Sequence, residues 1–206
     1  MNLLHTILYD TISLVTIIDP IGTAMVMLSL VKIDEIKTVS KISTLTVFIA
    51  SILTMLSGGF VLTLFGINLF SLKAMGGIIL LLVALNMVTG KEIAPTKSSK
   101  EENLAAKAKD NIAVIPLGIP LIFGPGAITA IIVLKTTAAT YYDKLALFIS
   151  LIIVSLIVFF SLRYSLYLSK LLGIHGTRII TRIMGLIIGS IALQFLVSGV
   201  KGLWIG

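Results

Sequence analysis

Residues 6–31 read TILYDTISLVTIIDPIGTAMVMLSLV, an apolar stretch whose only charged residues are Asp10 and Asp19. A helix needs roughly 20 predominantly apolar residues to cross the hydrocarbon of a bilayer, so this stretch predicts a membrane span. It lacks a preceding basic region and a small-residue cleavage pattern, so we expect it to be retained rather than cleaved. Pro20 and Gly22 lie near its middle, and we expect the helix to break there.

The remainder of the chain has the same apolar character. The whole chain of 206 residues is 57% hydrophobic and 12% charged, and its mean hydropathy is +1.13, whereas a soluble domain is about half apolar. Cysteine is absent and only two histidines are present, so we expect no disulfide, no metal site and no cofactor. The net charge of +7 comes from basic residues beside apolar stretches. That placement favours a cytoplasmic bias over nucleic-acid binding, and the lipid bilayer is the expected surrounding.

Charge-free windows predict six transmembrane helices in an all-α membrane protein. They are expected at residues 6–31, 42–65, 70–90, 112–135, 144–167 and 180–202. With the N-terminus outside, the three inside segments hold three, five and four of the 16 basic residues. This bias favours a multi-pass protein of the cell membrane with both termini outside. The polar residues 91–111 are expected to form a cytoplasmic linker between residues 1–90 and residues 112–206.

The two halves of the sequence resemble each other at nearly constant offsets. A shift of 109 residues aligns Gly76 with Gly185, and a shift of 105 residues aligns Pro20 with Pro125. Each half has three predicted spans, an odd number, so the second half must enter the membrane from the opposite side. We therefore expect two inverted three-helix repeats, an arrangement that recurs in secondary transporters. Chance matching between apolar segments is the alternative.

Spans one and four both contain proline and glycine interruptions. Span four contains Pro116, Pro120 and the turn Gly124-Pro125-Gly126. Freed backbone groups are costly in lipid, so both breaks should face the interior of the bundle. Two half-helix N-termini meeting there would suit a substrate carboxylate. A pair of packing kinks is the alternative.

Asp19 is the acidic side chain expected at the greatest depth, near the middle of span one. An intramembrane carboxylate is a functional candidate because its charged form is costly there. Its position before Pro20 is also typical of a helix N-cap. Burial and the half-helix dipole act on its proton in opposite directions, so its protonation state stays open. Its possible roles are substrate counter-ion, proton acceptor and plain cap.

Asp19-Pro20-Ile21-Gly22, together with PLGIPLIFGPGA at residues 116–127, resembles the MarC family of integral membrane proteins. The likeness covers the whole chain in length and span number, and the longer motif is the more specific. The family includes SnatA-type neutral amino acid transporters. The resemblance therefore implies proton-coupled secondary transport of a glycine- or alanine-class substrate near discontinuous helices 1 and 4. The substrate-binding residues implied are Asp19, Pro20, Ile21, Gly22, Thr23, Gly124, Pro125, Gly126, Ala127 and Ile128, with Asp19 also the candidate for proton coupling.

Three further polar residues, Thr129, Asn86 and Gln194, are second-tier candidates. They could line a cavity, but threonine commonly bonds its own helix, and intramembrane amides favour helix–helix hydrogen bonds. An enzyme is not expected, because catalysis would need a dyad or metal ligands at depth. A channel, or an exporter of another small solute, is the alternative function. The residues leave open the exact substrate, uptake or export, proton or sodium coupling, and the oligomeric state.

Overall fold

The computed structural model describes residues 3–90 and 113–205, and within these two ranges the chain is helical with no β-strand. The linker expected at residues 91–111 lies outside the described residues. In chain order the elements are α1 (Leu3–Ile18), α2 (Pro20–Leu30), a 3-10 helix (Ile33–Glu35), α3 (Ile36–Leu64), α4 (Leu69–Thr89), a π-helical segment (Ala113–Ile122), α5 (Pro125–Thr137), α6 (Tyr141–Arg163) and α7 (Ser165–Ile205).

Five helical stretches are long and apolar enough to cross a membrane. They are Leu3–Leu28, Ile33–Leu64, Leu69–Thr89, Tyr141–Arg163 and His175–Trp204. The sixth predicted span, at residues 112–135, corresponds to the 10-residue π-helical segment followed by the 13-residue α5. Each of these pieces is shorter than the roughly 20 residues that a single crossing helix needs. The described chain is therefore a multi-pass helical membrane protein with five long apolar helices and one shorter apolar helix.

Two helices begin earlier than the distribution of charge predicts. α3 begins at Ile36 rather than near residue 42, because Lys37 and Lys41 lie on its exposed side and do not interrupt it. α7 begins at Ser165 rather than near residue 180, and it contains a kink at Gly173 with φ 59° and ψ −179°. Glycine adopts this backbone conformation without a side-chain clash. A charged residue therefore marks the end of an apolar run more reliably than the end of a helix.

α4 and α7 form the most extensive helix pair, and they run antiparallel. Gly199 and Gly202 of α7 lie against Phe70 near the start of α4, whereas Gly185 lies against Met87 near its end. A Cβ atom on Gly199 would lie 2.7 Å from the Phe70 carbonyl oxygen, so the two backbones are in direct contact. Small residues at such positions allow the close helix approach that is common in membrane bundles.

The other long helices cross between the two halves of the chain. α3 packs against the π-helical segment and α5, while α6 packs against α1 and α2. Buried serines join these pairs: the Ser43 hydroxyl donates to the Ala113 carbonyl at 2.7 Å, and the Ser150 hydroxyl donates to the Ile7 carbonyl at 3.1 Å. The main apolar core lies among these helices, and a smaller cluster lies between α4 and α7. Both proline-containing breaks adjoin the main core.

Candidate functional site

The chain leaves the helical conformation between α1 and α2 at Asp19. Its φ of 46° and ψ of 69° are left-handed, and no other non-glycine residue in the described ranges has a positive φ. This conformation costs an ordinary residue about 1–2 kcal/mol, and aspartate and asparagine are among the residues that tolerate it best. Pro20 follows as the first residue of α2, where its missing N–H removes no helical hydrogen bond. The backbone strain is therefore confined to one residue.

Two side chains satisfy the backbone groups that this break sets free. In an uninterrupted helix the Gly22 N–H would donate to the Ile18 carbonyl. Here the Gly22 N–H donates to Asp19 Oδ1 at 3.2 Å, and the Ile18 carbonyl accepts from the Thr23 hydroxyl at 3.2 Å. Backbone groups at membrane depth need such partners because lipid supplies none. Asp19 and Thr23 together make the break compatible with the membrane interior.

Gly22 has no room for a side chain beside Asp19. A Cβ atom at this position would lie 2.9 Å from Asp19 Cγ and closer still to Asp19 Oδ2. The absence of a side chain lets the Asp19 carboxylate fold over the first turn of α2 and reach the Gly22 N–H. The aspartate, the proline and the glycine of this motif thus form one local structure.

The Asp19 carboxylate has no basic partner in the part of the chain that the structure describes. The side chain is partly buried, and it accepts a hydrogen bond from the Gly22 N–H at 3.2 Å. Burying a charged group without a partner of opposite charge is costly.

The second break is organised differently. The π-helical segment ends where the Phe123 N–H donates to the Gly118 carbonyl at 2.9 Å, five residues earlier. Gly124 then has an extended backbone, with φ −86° and ψ 177°, and α5 begins at Pro125. No described side chain caps α5, whereas Asp19 caps α2. The start of α5 therefore presents backbone N–H groups without a carboxylate beside them.

The two breaks adjoin each other next to α4. A Cβ atom on Gly126 would lie 3.5 Å from Cγ2 of Ile17, two residues before the first break, and 3.1 Å from Cγ of Leu80. One turn further along α5, Thr129 lies against α4, and a Cβ atom on Gly76 would lie 2.7 Å from its hydroxyl oxygen. The space around the breaks is therefore filled closely by small residues.

Comparison with known proteins places the whole chain in one family. Residues 4–204 match the MarC family integral membrane proteins. The chain belongs to the MarC family. It is 36% identical over 195 residues to a UPF0056 membrane protein of Aquifex aeolicus (strain VF5), a match that covers 93% of this chain and 91% of that protein.

Two further relatives extend the similarity of this MarC protein to other organisms. It is 37% identical over 191 residues to a UPF0056 membrane protein of Archaeoglobus fulgidus, covering 91% of this chain and 88% of that protein. It is 30% identical over 198 residues to the UPF0056 membrane protein YhcE of Escherichia coli (strain K12), covering 95% of this chain and 92% of that protein. No solved structure matches the chain. The family predicted from the two proline motifs is confirmed, and these names specify a membrane protein without a substrate.

The ten predicted binding residues of the MarC chain fall at the two helix starts. Pro20, Thr23, Gly126 and Ala127 are buried, Asp19, Ile21, Gly22, Gly124 and Ile128 are partly buried, and Pro125 is exposed. Among the second-tier candidates, Thr129 is 4% exposed and lies close to the second break. Asn86 lies about 9 Å further along α4 than Leu80, and Gln194 lies on the exposed side of α7.

Asp10 is a carboxylate of α1, and it is buried among the helices. It is only 5% exposed, and it lies on α1 close enough to the Asp143 carboxylate of α6 for the two side chains to interact electrostatically. The spacing of Asp10, Leu14 and Ile18, four residues apart, places all three on one helix face. Leu14 and Ile18 are 0% and 4% exposed, so this face points into the core. The four-residue spacing is the sequence signal that identifies Asp10 as a residue of the buried face.

Proposed function

We propose that this MarC-family protein is a proton-coupled secondary transporter of small neutral amino acids, with its substrate held between the two breaks near the middle of the membrane. The observation that carries this proposal is the contrast between the two helix starts. α2 begins with a carboxylate, and α5 begins with backbone N–H groups that no described side chain caps. A neutral amino acid carries one ammonium group and one carboxylate group, which complement these two ends.

The charges of such a substrate match the groups available at each break. Backbone N–H groups at a helix N-terminus bind carboxylates well, because they point at the ligand and the helix dipole favours negative charge. Gly126 and Ala127 supply these groups, since Pro125 has no N–H. The Asp19 carboxylate is the counter-ion for the ammonium group. Charge-assisted hydrogen bonds at both ends offset the cost of removing the substrate from water.

Asp19 also supplies a physical basis for proton coupling. A carboxylate at this depth is neutralised by a proton when the site is empty and by the ammonium group when substrate is bound. The proton and the substrate replace each other at Asp19, and this exchange couples the movement of the substrate to the movement of a proton. The capping bond to Gly22 holds the carboxylate at the break in both states.

Reciprocal contacts between the halves support an inverted repeat with discontinuous helices 1 and 4. The donors Ser43 and Ser150 are 107 residues apart, and their acceptors Ile7 and Ala113 are 106 residues apart. Each half thus donates the same hydrogen bond to the first helix of the other half. The antiparallel course of α4 and α7, the third helix of each half, agrees with opposite directions of insertion. Substrate sites in such transporters lie at the interface between repeats.

The tight packing around the breaks favours a small substrate. Gly22, Gly76 and Gly126 each lie so close to a neighbouring side chain that an added methyl group would displace it. A site lined in this way accommodates glycine or alanine with smaller rearrangements than a bulky amino acid requires.

Uptake by the purified protein in liposomes tests the proposal. We expect saturable uptake of labelled glycine or alanine that unlabelled substrate competes with and that a proton gradient increases. Asp19→Asn should retain the cap, since asparagine is an equally good N-cap, but lose the gradient-driven part. Asp34→Asn, at an exposed aspartate of the 3-10 helix, is the matched control and should behave like the wild type. Flux that rises linearly with concentration would favour a channel, and full gradient-driven uptake by folded Asp19→Asn would contradict the role of Asp19.

A further inference from the structure

Gln194 presents a side-chain amide on the outside of the bundle. It is exposed on α7 between Leu193 and Val197, which are 51% and 49% exposed. Within the described residues its amide has no hydrogen-bond partner. An exposed leucine or valine is normal on a membrane helix, whereas an exposed amide needs a polar partner.

The depth of Gln194 limits what that partner can be. Trp204 is 89% exposed at the end of the His175–Trp204 span, where tryptophan is typical of the membrane–water interface. Gln194 lies ten residues earlier, about 15 Å along the helix, which is half of the roughly 30 Å hydrocarbon thickness. Lipid headgroups do not reach this level, and acyl chains form no hydrogen bonds. A second polypeptide with a polar group at the same depth would supply such a partner.

The opposite side of α7 is already occupied. Gly185 lies against Met87 and Val88 of α4, and a Cβ atom on Gly189 would lie 3.4 Å from the Cβ atom of Ala84. The glycines at four-residue spacing therefore serve the contact within the chain. The free side of α7 borders an open groove of about 850 Å³ that Gln194, Ser198 and Phe70 line.

We propose that this exposed side of α7, which we call the Gln194 face, is the contact between two copies of this chain. An amide carries both a donor and an acceptor, so it is complementary to itself about a two-fold axis. Each Gln194 then donates to the carbonyl oxygen of its copy and accepts from its NH₂ group. Hydrogen bonds of this kind stabilise helix pairs in membranes. Lys201 also lines this groove, near the end of the span, where a lysine side chain can extend its ammonium group to the headgroups.

Cross-linking in the membrane tests the contact directly, because the wild-type chain contains no cysteine. Gln194→Cys is expected to form a disulfide-linked dimer when an oxidant is added to membranes that contain it. Leu53→Cys is the matched control, since Leu53 is 59% exposed on α3, which packs on other helices than α7. It should remain monomeric under the same conditions. Equal cross-linking of both variants would indicate random collision and overturn the proposal.

The oligomeric state of the wild-type chain gives a second test that needs no substitution. Single-molecule photobleaching of the labelled protein in liposomes should show two steps for most particles. Gln194→Leu should raise the dimer dissociation constant by roughly tenfold, while Gln194→Asn should keep most of the association. Single-step bleaching of the wild type, or native mass spectra of a monomer with bound lipid, would overturn the proposal. Neither result depends on transport, so the proposed function is tested separately.

Discussion

The two breaks of this protein both place a proline at the start of the following helix, but they differ in the residue that precedes this proline. At Asp19-Pro20 a carboxylate occupies the helix start and bonds to Gly22, whereas at Gly124-Pro125 no described side chain occupies it. The first helix start therefore carries an ionisable carboxyl group, whereas the second presents backbone N–H groups. A proline-glycine motif thus determines where a helix is interrupted, while the residue before the proline determines which chemical groups the interruption presents.

The two breaks also differ in how the backbone accommodates them. At the first break the departure from helical geometry is limited to Asp19, whose left-handed conformation is unfavourable for an ordinary residue. The second distributes it over the π-helical segment Ala113–Ile122 and an extended glycine. Substitutions at the first break should therefore change the free energy of unfolding through the helix cap. Substitutions at the second break should change it through side-chain packing.

Asp19→Ala should be the most destabilising change at either break. Alanine cannot cap α2, a loss of about 1 kcal/mol, and it tolerates the left-handed conformation poorly, at a cost of about 1–2 kcal/mol. We expect the free energy of unfolding to fall by about 2–3 kcal/mol. Asp19→Asn should change it by less than about 1 kcal/mol, because asparagine caps well and tolerates this conformation. Denaturant unfolding in detergent micelles measures both, and equal losses would contradict the capping role.

Gly126→Ala should have the next largest effect, through packing at the second break. The added methyl group would lie within 3.1 Å of Leu80 Cγ, and overpacking of this kind costs about 1–3 kcal/mol. Gly59→Ala is the matched control, because nothing lies within 4 Å of a Cβ atom there. We expect the control to be neutral or to stabilise the helix by up to about 1 kcal/mol. A similar loss in both variants would show that the effect is not specific to the break.

Gly22→Ala should act on the first break through Asp19. The methyl group would occupy the space of the carboxylate and displace it from the Gly22 N–H, removing a cap that contributes about 1 kcal/mol. In an Asp19→Ala background the same substitution should cost clearly less, because no carboxylate remains to be displaced. A double-mutant cycle on unfolding midpoints measures the difference, and strictly additive losses would contradict the coupling.

Ser43→Ala and Ser150→Ala should have the smallest effects, and these should be nearly equal. Each removes one hydrogen bond between the halves, and such bonds in membrane proteins contribute about 0.6 kcal/mol on average. The serines lie in different helix pairs, so their losses should add in the double variant. Clearly unequal losses, measured as shifts in the unfolding midpoint, would weaken the correspondence between the two halves.

Much of the fold could be predicted because lipid imposes simple rules on sequence. Apolar length predicted a multi-pass helical protein, and the Asp19-Pro20 pair predicted the cap and the first residue of α2, as the structure has them. The π-helical segment could not be predicted, because Pro116 and Pro120 remove hydrogen bonds without specifying the pattern that replaces them. The kink at Gly173 could not be predicted, because the charged residues of that region place it before the last predicted span.

The candidate site was only partly predictable for a related reason. Proline and glycine positions located both breaks, but whether the breaks meet depends on packing against α4, which no local pattern encodes. The bond from Asp19 to Gly22 makes the two ends electrostatically unequal, whereas symmetry between the halves had predicted two equivalent amide ends. The burial of Asp10, which is only 5% exposed, follows from its position on the same helix face as Leu14 and Ile18.

The proposal that the two helix starts bind the opposite charges of one substrate can be tested by ligand-induced stabilisation. Alanine, lactate, which lacks the ammonium group, and alaninamide, which lacks the carboxylate, are compared by the shift they cause in the unfolding midpoint. Wild type and Asp34→Asn should be stabilised by alanine more than by either analogue. Asp19→Asn should lose the preference for alanine over lactate and keep the preference over alaninamide. Full discrimination against lactate by Asp19→Asn would contradict the account.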